Sequence, residues 1–235
     1  MIQHASTAPV PRRILLATDL SSRTDRAFDR AVQLCHLWGA QLHVLHAVEA
    51  MPPSVPVGVD ADEYVRARPD PRAQATAQLR AMLKREQVEA RIHVQEEAAA
   101  RAILDTVERE GCDLVILGEG RDRLVGPFEG TLDRVVRSSP ASVLAVRSRP
   151  YGPYRNLLVG TDFTDESQQA LSTSMRWFPG AGVAFVHAYS MPYSGLVPRE
   201  SREWGGEQLE RLRTQLDEAG INAGERASVR IRVAA

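Results

Sequence analysis

The chain repeats part of itself, and this feature limits its possible folds more than any other. Residues 14–19, Ile-Leu-Leu-Ala-Thr-Asp, recur at 157–162 as Leu-Leu-Val-Gly-Thr-Asp. Residues 42–47, Leu-His-Val-Leu-His-Ala, recur at 183–188 as Val-Ala-Phe-Val-His-Ala. The two pairs keep their order and lie 143 and 141 positions apart. Self-similarity at a nearly constant spacing indicates one architecture used twice.

Each copy has the pattern of a strand, a helix and a second strand. A short apolar run closed by Thr-Asp is typical of a buried parallel strand that ends in a turn. In the first copy, Ser21-Ser22 is predicted to cap the following helix and Gly39 to end it. In the second copy, Thr164 takes the capping position and Pro179-Gly180 the terminating one. This order predicts a right-handed parallel crossover in each copy.

The first copy continues and the second one stops early. The remaining predicted helices of the first copy are 73–87, 99–110 and 131–137, and its remaining strands are 91–94, 113–117 and 142–146. These segments predict an α/β fold, an open parallel five-stranded sheet with helices on both faces. The second copy reaches only a helix at 207–218 and a strand at 228–233, so its strand 157–162 is expected at a sheet edge. We therefore expect a complete domain at 1–150 and a truncated tandem copy at 151–235.

Composition excludes several classes of protein. The chain is 43% hydrophobic and 25% charged, with 29 Lys and Arg against 30 Asp and Glu. A net charge of -1 gives no general attraction for nucleic acid, and no apolar run approaches the ~20 residues that span a membrane. Cys35 and Cys112 are not in a Cys-x-x-Cys pair, so no disulfide framework or zinc site is predicted. The amino terminus lacks a secretory signal pattern, and a cytoplasmic location is expected.

Four segments resemble the universal stress protein (UspA) family. They are residues 17–21 (Ala-Thr-Asp-Leu-Ser), His46-Ala47, residues 113–118 (Asp-Leu-Val-Ile-Leu-Gly) and the closing stretch 139–147. The resemblance implies a cytoplasmic α/β stress-response protein of the adenine nucleotide alpha hydrolase-like fold. It also implies dimerisation, either between two chains or between the two copies in one chain. Some family members bind ATP and others do not.

A glycine-containing loop resembles the nucleotide loop of the ATP-binding members. Their pattern is Gly-x-x-Gly, nine residues, then Gly-Ser or Gly-Thr; here it is Gly118-x-Gly120, nine residues, then Gly130-Thr131, one residue shorter. Glycine lets the backbone approach a phosphate closely, and the first amides of a helix attract anions. The resemblance implies ATP, with or without Mg²⁺, as the ligand of ten residues: Ala17, Asp19, Ala47, Leu117, Gly118, Gly120, Arg121, Gly130, Thr131 and Leu132.

Each candidate residue also has an ordinary structural interpretation. Asp19 either accepts hydrogen bonds from a ribose or satisfies backbone amides of its own turn. Thr131 either binds phosphate or only begins a helix. His46 and His187 have no ligand partner at metal-binding spacing, so structural hydrogen bonds are predicted for them and no metal site is expected.

Three functions remain open at this stage. The first is an adenine-nucleotide-binding stress factor, and the second is a nucleotide-free protein-interaction module that dimerises through the edge strand 142–146. The third, an enzyme acting on adenosine phosphates, is the least supported because the chain has no recognised catalytic motif. We therefore predict no catalytic residue and no enzyme beyond a weak ATPase, with protein partners that the sequence does not identify.

Overall fold

The structure is a computed structural model that describes residues 10–21, 24–48, 60, 69–118, 130–189, 210–211, 214, 227–229 and 232–233. The chain divides into two compact units, Met1–Tyr151 and Gly152–Ala235. The first unit contains a five-stranded sheet, and the second contains a three-stranded and a two-stranded sheet.

The first unit is built on a five-stranded sheet in the order β3-β2-β1-β4-β5. Every neighbouring pair is parallel, which confirms the predicted sheet. Its strands are β1 (Arg13–Ala17), β2 (Gln41–Ala47), β3 (Ala90–Gln95), β4 (Leu114–Gly118) and β5 (Ser142–Val146).

Helices cover both faces of this sheet. They are α1 (Asp25–Trp38), α2 (Pro71–Arg85), α3 (Ala99–Glu110) and α4 (Thr131–Ser138). Leu15, Leu45 and Val115 point to one face, where they pack with residues of α3 and with Val135 of α4. Side chains alternate along a strand, so Leu16 and Val44 lie on the opposite face. Helix α1 contacts β1, β2, β4 and β5.

The start of α1 differs from the prediction. The helix begins at Asp25 with Thr24 as the residue before it, rather than directly after Ser21-Ser22. The reason is that Ser21 serves a different turn, in which both its backbone N–H and its hydroxyl donate to Asp19 Oδ1 at 2.9 and 2.7 Å. The predicted end is confirmed, since Gly39 adopts a left-handed conformation with φ 63°.

The two cysteines are buried free thiols. Burial raises the pKa of Cys35 and of Cys112 to about 12, so both stay protonated at neutral pH. They behave as the small apolar residues that the sequence predicts.

The second unit contains β6 (Asn156–Gly160), α5 (Asp165–Trp177), β7 (Gly182–Val186), β8 (Ala188–Tyr189), β9 (Ala227–Val229) and β10 (Arg232–Val233). Strands β6, β7 and β9 form a parallel sheet in that order, and β8 pairs with β10. The single strand predicted at 228–233 is thus two short strands in separate sheets. Of the helix predicted at 207–218, only residues 210, 211 and 214 are described, and they are helical.

The core formed by the described residues of the second unit is small. It contains Val159, Leu171, Val183 and Phe185. Leu171 is the only buried residue of α5. Among the described strands, β6 lies at the sheet edge as predicted, and 70% of Leu158 is exposed.

None of the helices in the described part of the chain combines the length and apolarity that a membrane crossing requires.

Candidate functional site

A cavity of about 580 Å³ opens where β1, β2 and β4 end. The chain runs outward from β1 through β2 to β3, then returns to the other side of β1 as β4. The strand order therefore reverses between β1 and β4, and ligands of open α/β sheets bind outside the carboxyl ends of strands at such a point. The cavity volume is within the usual range for small-molecule sites.

The structure brings most of the predicted binding residues to this cavity. Seven of the ten line it: Ala17, Asp19, Ala47, Leu117, Gly118, Thr131 and Leu132. Gly130 immediately precedes Thr131 and is the N-cap of α4. Gly120 and Arg121 lie outside the described residues.

Other residues that line the cavity were not predicted from the sequence. Ala99 and Ile103, from the first turns of α3, face the cavity, and Val48 follows β2 along its rim. No motif marks the two α3 residues, which belong to an ordinary amphipathic helix. Their position depends on how α3 packs against the sheet, so no local signal could have identified them.

Asp19 is held by a turn directly after β1. Ser21 donates to Asp19 Oδ1 through its N–H and hydroxyl, and Thr24 Oγ1 donates to the same oxygen at 3.2 Å. Leu20, between them, has a positive φ of 59°, and its N–H donates to Thr18 Oγ1. All the hydrogen bonds that described residues donate to this carboxylate end on Oδ1.

The turn keeps Asp19 ionised. Desolvation raises the pKa of the carboxyl, but the hydrogen bonds from Ser21 and Thr24 outweigh it and hold the pKa below its ordinary value of 3.8. A permanent negative charge therefore stands at the mouth of the cavity at neutral pH.

His46 forms part of the cavity wall and also joins β2 to the turn after β1. Its Nδ1–H donates to the carbonyl of Thr18 at 2.9 Å, which fixes the ring tautomer because a carbonyl only accepts. This bond confirms the structural role predicted for His46.

The first turn of α4 faces the same cavity. Gly130 is extended, with φ -68° and ψ 164°, and the first amides of α4, those of Thr131, Leu132 and Asp133, lack intrahelical acceptors. Such amides and the positive end of the helix dipole form a favourable environment for an anion. A Cβ on Gly130 would meet Asp133 Oδ2 at 3.8 Å, so a small side chain fits there in the free protein.

The second unit repeats the hydrogen-bonded Thr-Asp turn that follows β1, together with its histidine; we call this arrangement the Thr-Asp corner. Thr164 donates to Asp162 Oδ1 through its N–H and hydroxyl at 3.2 and 2.6 Å, and Phe163 has a positive φ of 66°. His187 Nδ1–H donates to the carbonyl of Thr161 at 2.7 Å, as His46 does to Thr18. The Thr-Asp motif therefore builds the same hydrogen-bonded corner twice.

Outside the cavity, the structure brings together a cluster that the sequence analysis did not foresee. His43 of β2, His93 of β3 and Glu110 of α3 place one potential ligand atom each within 4.8 Å of the others. Burial lowers the pKa of both histidines. The two histidines are 50 residues apart in the sequence, and only strand pairing makes them neighbours.

The sequence model of the universal stress protein family matches residues 11–147, which include the whole five-stranded sheet. The chain belongs to the universal stress protein family. Proteins of this family are generally not enzymes. No curated protein sequence matches the chain.

Solved structures share the universal stress protein fold. A functionally unknown protein from Pseudomonas aeruginosa PAO1 is 16% identical, with a TM-score of 0.63 over 95% of this chain and 75% of that chain. A universal stress protein from Archaeoglobus fulgidus DSM 4304 is 15% identical, with a TM-score of 0.58 over 95% and 79%. A universal stress protein in complex with cAMP is 21% identical, with a TM-score of 0.43 over 59% and 98%. At these identities the first two show the fold alone.

Proposed function

We propose that the first unit binds ATP or another adenine nucleotide in the cavity and acts in the cytoplasm as a stress-response factor, by binding rather than by catalysis. The observation that carries this proposal is the position of the cavity at the reversal of strand order. An ionised carboxylate lies at its mouth, and a helix N-terminus whose first amides lack intrahelical acceptors forms part of its wall. A nucleoside phosphate has complementary groups for both.

The nucleoside half of the ligand fits the apolar side of the cavity. Leu45, Ile103 and Leu117 offer a surface for a flat base. Asp19 Oδ1 is occupied by its turn, which leaves Oδ2 to accept hydrogen bonds from ribose hydroxyls. A carboxylate bond to a hydroxyl is charge-assisted and stronger than a neutral one.

The phosphate half would lie against the start of α4. The amides of Thr131 and Leu132 supply donors, and Gly118 and Gly130 let the backbone come close because they carry no side chain. By resemblance to ATP-binding relatives, Gly120 and Arg121 belong to the same loop, and Mg²⁺ accompanies the phosphates.

Calorimetric titration of the full chain with ATP and Mg²⁺ tests the proposal. We expect saturable binding, weakened about tenfold to a hundredfold in Asp19→Ala because charge-assisted hydrogen bonds are lost. Gly130→Glu should abolish binding, since it places a bulky negative group where phosphate would lie. A parallel titration with cAMP is informative because its esterified 3′-hydroxyl cannot donate to Asp19.

The matched control is Asp162→Ala, which removes the equivalent carboxylate from the second unit. It should leave ATP affinity unchanged. Absence of binding heat at millimolar ATP, or equal affinity of the Asp19→Ala variant and the parent protein, would reject the nucleotide site.

A second candidate function is a nucleotide-free interaction module that dimerises. It is favoured by β5, an edge strand whose Ser142 and Ala145 are exposed. This function predicts a melting temperature that ATP does not change, together with association through β5. A protein that stays monomeric at high concentration in sedimentation would contradict it.

The repeated corner also supports a tandem arrangement. In this proposal residues 1–150 form a complete universal stress protein domain and residues 151–235 a partial copy of it. The same bonds around Asp19 and Asp162, and around His46 and His187, are the supporting observation. Pairing between the two copies, or between two chains, is the corresponding form of dimer.

A further inference from the structure

We propose that His43, His93 and Glu110 form a binding site for a divalent transition metal ion, best suited to zinc, beneath the sheet and separate from the nucleotide cavity. Two imidazoles and one carboxylate are a ligand set that zinc uses in proteins, with a fourth position left for water. None of the three residues lines the cavity.

The distances between the ligand atoms match this ion. His43 Nδ1 lies 3.1 Å from His93 Nε2 and 3.9 Å from Glu110 Oε2. A tetrahedral zinc ion with bonds of about 2.1 Å separates its ligand atoms by roughly 3.4 Å. The three atoms are therefore close enough to share one ion once the His93 ring has turned.

The two rings currently share a hydrogen bond that the ion would replace. The two ring planes make an angle of 3°, and the ring centroids are 5.3 Å apart. This centroid distance is almost the N–N distance plus the two ring radii, so the rings are nearly coplanar and meet edge to edge. For both nitrogens to point at one ion, His93 must tilt. It can do so because β3 is an edge strand and the His93 side chain is only partly buried.

His43 is the unusual member of the cluster. It is fully buried, and its Nε2 has no hydrogen-bond partner among the residues that the structure describes. An unsatisfied buried polar atom costs free energy, so a histidine at such a position requires an explanation. Metal ligation through Nδ1 explains why a histidine rather than an apolar side chain stands here, although Nε2 then carries the ring proton and still lacks an acceptor among the described residues.

The electrostatic surroundings are mixed. Glu110 is the last residue of α3, and the negative end of a helix dipole favours a cation. Arg91 and Arg109 contact its carboxylate at 3.6 and 3.3 Å, but their side chains are 61% and 50% exposed and can turn to solvent. Arg13 Nη1 instead donates to the backbone carbonyls of Glu110 and Gly111.

Titration of the untagged full chain with Co²⁺, followed by visible absorption, tests the proposal, because cobalt reports tetrahedral coordination by colour. We expect one Co²⁺ per chain, displaced by Zn²⁺. Both His93→Ala and Glu110→Gln should weaken binding by more than about tenfold, the loss that even outer-shell changes cause at metal sites. Glu110→Gln preserves the side-chain shape and keeps the test valid if His93→Ala does not fold.

His36→Ala is the matched control, since it removes an exposed histidine of α1 outside the cluster. It should bind Co²⁺ like the parent protein. The proposal is overturned if the parent shows no saturable binding, if Glu110→Gln and His93→Ala bind as tightly as the parent, or if His36→Ala alone loses the ion.

Discussion

The corners after β1 and β6 are alike, but the strands that lead into them are not. Both corners have a Thr-Asp turn with a positive φ and a histidine bonded to the threonine carbonyl. Yet Leu15 of β1 is fully buried, whereas 70% of Leu158, its counterpart in β6, is exposed. Strand β1 lies between β2 and β4, while β6 has β7 as its single described neighbour. The corner is encoded locally, and burial depends on what surrounds the strand.

The largest expected difference between the units is therefore the free energy of unfolding that each loses when its leucine, Leu15 or Leu158, is replaced by alanine. Leu15→Ala should destabilise the first unit by about 2–5 kcal/mol, because it leaves a cavity in a packed core. Leu158→Ala should change stability by less than about 0.5 kcal/mol, as at most exposed positions. Urea denaturation combined with hydrogen exchange, read on peptides from each unit, measures both values separately. A large loss of stability in Leu158→Ala would show that another surface covers β6.

Replacing the histidine of either corner should cause a smaller loss of stability, of similar size in the two units. His46→Ala and His187→Ala each remove the N–H donated to a threonine carbonyl and should cost about 1–3 kcal/mol in their own unit. The same denaturation measurement applies, with His36→Ala as an exposed control expected to have little effect. If only one of the two variants destabilised its unit, the corners would not be equivalent in energy.

The smallest expected effect concerns acid stability. Side-chain and backbone hydrogen bonds from Thr164 hold the pKa of Asp162 below 3.8. Asp19 also has a lowered pKa, because its hydrogen bonds outweigh desolvation. A carboxyl with a lowered folded-state pKa contributes stability above its unfolded value of 3.8, and this contribution is lost as the pH falls through the folded value.

Asp19→Asn and Asp162→Asn should therefore each reduce the dependence of melting temperature on pH below about 3.8. Differential scanning calorimetry from neutral pH downward provides the measurement. Because both side chains are largely exposed, solvent screening keeps the two effects modest. If the melting temperature of both variants fell with pH in the acid range as steeply as that of the parent protein, these turns would not stabilise the folded state through charge.

The sequence predicted the sheet of the first unit well because its signals are local. Apolar runs, the terminating Gly39 and the helix at 99–110 all agree with the structure. The predicted start of α1 was wrong, because two serines beside an aspartate can either cap a helix or form a turn around that aspartate. Which role prevails depends on Asp19 and Thr24 together.

The amino-acid sequence by itself determined the order of strands and helices along the chain and the duplicated Thr-Asp corner, because short-range periodicity and turn chemistry encode them. Half of the fourteen residues that line the cavity followed from the resemblance to the universal stress protein family. Tertiary structure alone decided that Ala99 and Ile103 complete the cavity wall, that β6 is exposed and that His43, His93 and Glu110 meet. These outcomes depend on packing between segments distant in the chain. No local pattern records such contacts, because each residue obtains its neighbours only when the sheet assembles.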